Sequence, residues 1–144
     1  MPRATKREEM IIAVDFDGTI VTHDYPIIGQ LIPQAIQTLH DLIASGHKLI
    51  LYTMRSDREL VDAVDYCRAN SIELWAVNKN PTQTEWTSSP KIFANLYIDD
   101  AAVGCPLVVG AHRRPYVDWV KIREILTPMF KEKGAADVAV QKEK

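Results

Sequence analysis

Residues 11–20 read Ile11-Ile12-Ala13-Val14-Asp15-Phe16-Asp17-Gly18-Thr19-Ile20. Four apolar residues suit a buried strand. The run ends on two carboxylates one residue apart, followed by Gly-Thr. Open α/β sheets bind their ligands beyond the carboxyl ends of their strands. Of two acids placed there, one can attack an electrophile and the other can move a proton. An Asp- and Gly-rich turn would account for the pair alone. It would not account for the chemical residues that recur at matching places further along the chain.

Outward from this stretch, the pattern alternates between strand and helix. The first strand covers Met10 to Val14, and a loop from Phe16 to Gly29 carries Thr19, Thr22, His23, Asp24 and Tyr25. A helix follows Pro33, with Ala35, Ile36, Leu39, Leu42 and Ile43 on one face and Gly46 suited to the position past its end. Lys48 to Tyr52 reads as strand two. Ser56 with Glu59 reads as a capping box, opening a helix that carries Leu60, Val61, Val64 and Cys67. Glu73 to Val77 is strand three, and a polar loop from Asn78 to Pro90 contains Trp86. Leu96 to Ile98 is strand four, and Leu107 to Val109 a further short strand. A last helix starts at Pro115 and turns Trp119, Ile122, Leu126 and Met129 inward. The expected fold is a single α/β domain, three-layered and Rossmann-like, with a mostly parallel sheet and helices on both faces. It spans residues 10–132, between a flexible N-terminus (1–9) and a flexible charged tail (133–144). Right-handed crossovers put every strand-to-helix loop on one edge.

Bulk properties narrow the function. The 144 residues, 47% apolar and 25% charged, suffice for one domain with a real core. A net charge of −2 lacks the electrostatic footprint of a general nucleic-acid binder. No apolar run approaches a membrane span, and the charged N-terminus has no signal core behind it. Cys67 and Cys105 are too few for a disulfide framework and read as small buried hydrophobes. The expected address is the cytoplasm.

Four segments converge on the shared edge. Asp15 and Asp17 follow strand one, Thr53 follows strand two, and Asp99 and Asp100 follow strand four. Lys91 stands eight residues ahead of Asp99. This ordered set, headed by Asp-x-Asp-Gly-Thr after an apolar strand, resembles the four motifs of the haloacid dehalogenase (HAD) superfamily of phosphohydrolases. The resemblance runs from strand one to strand four and implies a HAD-like fold.

The resemblance also implies roles. Asp15 attacks phosphorus and ligates Mg²⁺. Asp17 protonates the leaving oxygen, then deprotonates the water that hydrolyses the aspartyl-phosphate, and its backbone carbonyl ligates the metal. Asp99 and Asp100 complete the metal set. Thr53 holds phosphoryl oxygens, and Lys91 neutralises charge on Asp15 and the phosphoryl group. Magnesium prefers such all-oxygen ligands, and it relieves the repulsion between a carboxylate and a phosphate dianion.

Arg55, two residues beyond Thr53, is a candidate substrate contact, as are Asn78 and Lys79 beyond strand three. The loop from Asn78 to Pro90, carrying Lys79 and Trp86, is one expected rim of the site, and the loop from Thr22 to Gly29, with His23 and Tyr25, faces it across strand one. His23 reads as a loop histidine, and Arg113 and Arg114 as solvated surface, with an anion contact as the alternative. Neither inter-motif gap has room for a substantial cap domain, so the expectation is a capless, magnesium-dependent phosphatase acting on a phosphorylated substrate. A homo-oligomer could supply a lid. The alternatives are a phosphomutase and a phosphate- or magnesium-binding regulatory module with negligible turnover.

Overall fold

The computed structural model describes residues 8–131. The expected tail at 133–144, and residues 1–7 of the expected N-terminal segment, lie outside the described residues. Strand β1 (Ile11–Val14) leads through helix α1 (Ala35–Ala44) to β2 (Lys48–Leu51). Helix α2 (Asp57–Ala69) then leads to β3 (Ala76–Val77), and a long connection to β4 (Leu96–Ile98). A short hairpin, β5 (Leu107–Val108) and β6 (Tyr116–Val117), precedes helix α3 (Trp119–Ile125). The four main strands form one parallel sheet in the order β3-β2-β1-β4. The chain is thus a single α/β domain of Rossmann-like type. Among the described residues, no helix is long and apolar enough to cross a membrane.

The strands alternate by pleat. Ile12, Val14, Leu49, Leu51 and Ile98 point to one side, where they pack with Leu39 and Leu42 of α1, Ala63 and Cys67 of α2, and Trp119 and Ile122 of α3. Ala13, Ile50 and Ala76 point to the other side, which Ile92 and Ala94 cover. The expectation of helices on both faces is therefore corrected: all three helices share one face. Strand order supplies the reason. The steps β1 to β2 and β2 to β3 run in one direction across the sheet, so right-handed crossovers put α1 and α2 on the same side. The step β3 to β4 runs back, and its connection must cross the opposite face. That connection is irregular apart from a 3₁₀ turn at Gln83–Glu85.

Two local expectations also change. Residues at and just after Pro115 extend into β6, which pairs antiparallel with β5. Helix α3 begins later, where the Asp118 side chain accepts from the Lys121 amide at 3.1 Å. Proline fits an extended lead-in, and Asp is a strong N-cap. Ser56 precedes α2 without a side-chain capping bond, and Asp57 adopts φ 50°. The capping box is not made. Gly46, as expected, follows α1 with φ 95°.

Candidate active site

Register places the acids. Val14 pairs with Ile98 and with Leu51, so Asp15, Asp99-Asp100 and Thr53 leave adjacent strands at one edge. The Asp15 amide continues the ladder by donating to the Ile98 carbonyl at 3.0 Å. Asp15, Asp99 and Asp100 each offer a carboxylate oxygen within 4.8 Å of the others. Burial, then the charge of Asp99, then the contact with Asp100 push the Asp15 carboxyl up to about 8. Burial also raises Asp100. Crowded carboxylates that cling to protons are a natural seat for a hard divalent cation, which takes the place of those protons. The donor set fits Mg²⁺ in kind: three carboxylates on rigid strand ends, with room in the cavity for water.

The loop after β1 is tied down on several sides. The Thr19 hydroxyl donates to Asp15 at 3.1 Å and accepts from the Asp100 amide at 3.2 Å, stitching the two acids together. Trp119 donates its indole N–H to the Thr19 carbonyl at 2.6 Å, and the Val117 amide donates to the Gly18 carbonyl at 3.0 Å. Gly18 has φ 79°, and a Cβ there would lie 2.3 Å from Asp100 Oδ2. Only glycine suits both the backbone and the close approach. The sequence alone assigns Thr19 no role. The signal was present in Gly-Thr directly after the acids.

Asp17 stands outside the three-carboxylate cluster. Arg55 grips it bidentately, Nε to Oδ2 at 2.7 Å and Nη2 to Oδ1 at 2.8 Å. The remaining Arg55 donors reach the carbonyls of Pro26 (3.1 Å), Glu59 (3.3 Å) and Ile27 (2.9 Å). The guanidinium lies between the rings of Phe16 and Tyr25, 5.1 Å from each centroid. Arg55 lines the cavity over these acids, yet it is only 3% exposed and its donors are spent on protein partners. It fixes Asp17 and the loop at 26–27.

A cavity of about 430 Å³ opens over this edge, lined by Asp15, Asp17, Thr53, Asp99 and Asp100 on its floor. His23, Tyr25, Met54, Arg55, Ala101 and Arg114 complete its walls. Three other expected site residues stand elsewhere. Asn78, at φ 52°, accepts from the Thr53 amide at 2.8 Å; it positions Thr53 and does not line the cavity. Lys79 is exposed and also off the cavity wall. Lys91 is exposed, with its ammonium 6.0 Å from the centroid of the Tyr97 ring, and is not a lining residue. It rides on the β3–β4 connection, whose neighbouring Ile92 packs on the face away from the helices. Trp86 on the same connection is 64% exposed and packs edge-on to Phe93. Of the two expected rim loops, the one after β1 lines the cavity through His23 and Tyr25, while the 78–90 loop does not and the β5–β6 hairpin contributes Arg114 instead.

Among solved structures, a conserved protein from Bacteroides thetaiotaomicron is similar at 41% identity, over 91% of this chain and 98% of that one, with a TM-score of 0.69. The chain belongs to that protein's family. No protein-family model matches the chain, and no curated protein does.

Proposed function

We propose that the chain is a capless, magnesium-dependent phosphatase of the haloacid dehalogenase type. The observation that carries this reading is the convergence of Asp15, Asp99 and Asp100 within 4.8 Å of one another at the strand ends, on the floor of a cavity that Thr53 also lines. Asp15, Asp99 and Asp100 would hold the metal, together with the backbone carbonyl of Asp17. Bound there, Mg²⁺ supplies charge neutralisation between the acids and a phosphate dianion.

Asp15 attacks phosphorus through a carboxylate oxygen. A bond from that oxygen to phosphorus forms as the bond to the leaving oxygen breaks, giving an acyl-phosphate. Thr19 keeps Asp15 in one orientation throughout. The Thr53 hydroxyl, on a backbone fixed by Asn78, donates to a phosphoryl oxygen as its charge grows. Asp17 hands a proton to the leaving oxygen and later takes one from the attacking water. To do so it releases at least one oxygen from Arg55, which holds both in this structure. Leaving groups that depart as stable anions need that proton least.

The same Asp17–Arg55 pair favours a second reading, a phosphate- or magnesium-binding module with negligible turnover, because a clamped acid suits a binder. Hydrolysis of p-nitrophenyl phosphate separates the two. The phosphatase reading expects steady turnover with Mg²⁺ and none in excess chelator. Tight metal binding with no phosphate release would leave the binding module standing.

A further inference from the structure

The β5–β6 hairpin makes one wall of the cavity and carries a cation over it. Its loop is locked onto the loop after β1. Asp24 accepts from Arg113 Nη2 at 2.9 Å and meets His112 Nε2 at 3.1 Å. The Thr22 hydroxyl donates to Asp24 at 2.7 Å. Together the Thr22 hydroxyl, Arg113 and His112 hold the Asp24 carboxyl far below the usual range. Gly29 lets the loop close, since a Cβ there would lie 2.1 Å from the Thr22 carbonyl oxygen.

Arg114, next in the hairpin, has a different fate from Arg113. It lines the cavity and donates to His23 Nε2 at 3.2 Å. Among the described residues it forms no ion pair. Arg55, the other cavity-lining arginine, has no donor to offer, and neither lysine expected at the site lines the cavity. A guanidinium forks most favourably onto carboxylate or phosphate oxygens. Arg114 shares the cavity lining with Asp15, Asp99 and Asp100 and is held there by His23. Its guanidinium is thus presented to the same space that a phosphorylated ligand of these acids would occupy. The cavity, at about 430 Å³, has room for a leaving group of several heavy atoms as well as a phosphoryl group.

We infer that Arg114, with His23 beside it, forms a subsite for a second anionic group on the leaving-group side, so that the substrate is a small phosphate monoester carrying a further carboxylate or phosphate. The inference rests on the phosphatase reading. It also supplies the selectivity that a capless chain must obtain from its walls.

Matched substrate pairs test it: phosphoglycolate against ethyl phosphate, 3-phosphoglycerate against glycerol 3-phosphate, and propane-1,3-diol bisphosphate against propyl phosphate, with p-nitrophenyl phosphate as reference. The readout is the kcat/KM ratio within each pair. The native protein prefers the extra anion by about tenfold or more in at least one pair, the size of one charge-assisted hydrogen bond. Arg114→Ala brings that ratio close to one, and Arg114→Lys restores part of it. The pair in which the preference appears distinguishes a carboxylate from a phosphate. Hydrolysis of the reference ester with no preference in any pair overturns the subsite and leaves the phosphatase reading intact. Equal losses on all substrates in Arg114→Ala also overturn it, assigning Arg114 to the transferring phosphoryl group. Absence of turnover on every ester removes both readings.

Discussion

Two loops leave the same edge of the sheet and meet opposite fates. The loop after β1 (residues 15–29) is pinned by Thr19, Trp119, Arg55 and the hairpin, and it lines the cavity with Asp15, Asp17, His23 and Tyr25. The connection after β3 (residues 78–95) is longer and richer in polar residues, yet none of its residues lines the cavity. It sweeps back across the sheet and covers the opposite face with Ile92 and Ala94. Position on the functional edge does not make a loop part of the site. The direction of the next crossover decides whether the loop stays over the strand ends or leaves them.

Substitutions in the two loops should therefore differ sharply. The largest effect is expected at Asp15. Asp15→Asn keeps the shape and loses the nucleophile, and turnover of p-nitrophenyl phosphate should fall by about 10³-fold or more. Residual turnover above about a tenth of the native rate would break the assignment. Next is Arg55→Ala, which leaves the half-buried Asp17 carboxylate and three carbonyls without their donor. A loss of about 3–5 kcal/mol is expected, read as a fall in Tm of roughly 10 °C or more. A Tm within a degree or two of native would show that the clamp on Asp17 is not structural. Gly18→Ala should follow, at about 2 kcal/mol from the left-handed backbone alone. Crowding of Asp100 should also weaken Mg²⁺ binding in calorimetry.

The pinned loop also predicts a pH dependence. Folding raises Asp15 from 3.8 to about 8, so the folded chain holds this proton more tightly than the unfolded one. Its contribution is complete below the unfolded value and is lost as pH rises toward 8. Metal-free protein should melt progressively lower between about pH 4 and pH 8, the interval set by the two values. Asp15→Asn should flatten that slope, and Mg²⁺ should raise Tm more at the alkaline end. A slope that is identical in Asp15→Asn would assign it to other groups. The smallest effects belong to the connection after β3. Lys79→Ala and Trp86→Ala should change KM for any ester by less than about twofold. Trp86→Ala should lower Tm slightly through its lost contact with Phe93.

Particular residues show what the sequence could and could not disclose. The apolar runs at 11–14, 48–51 and 96–98 announced their strands, and the acids and Thr53 after them announced the cavity floor, because strand ends are local features. The shared face of the helices was already implicit in strand order, but order is a long-range property that no single segment displays. Arg55 two residues past Thr53 looked free to meet a ligand. Its five donors are consumed by partners at 17, 26, 27 and 59, which only the folded chain gathers. Arg113 and Arg114 are indistinguishable as neighbours in sequence. Asp24, 89 residues before Arg113, claims one and leaves the other over the cavity. Lys91 stands eight residues ahead of Asp99, and what the spacing does not display is that its ammonium lies against Tyr97, off the cavity lining.

The central claim is that Asp15 is a nucleophile within a carboxylate metal site. The most direct measurement is a rapid acid quench of the protein during turnover of p-nitrophenyl phosphate with Mg²⁺, followed by peptide mass spectrometry. Asp17→Asn, which should slow hydrolysis of the intermediate, serves as a second sample. The account predicts a phosphoryl group on the peptide containing Asp15, present with Mg²⁺, enriched in Asp17→Asn and absent in Asp15→Asn. Turnover with no phosphoryl group on that peptide in either sample, or with one on a different residue, would contradict it.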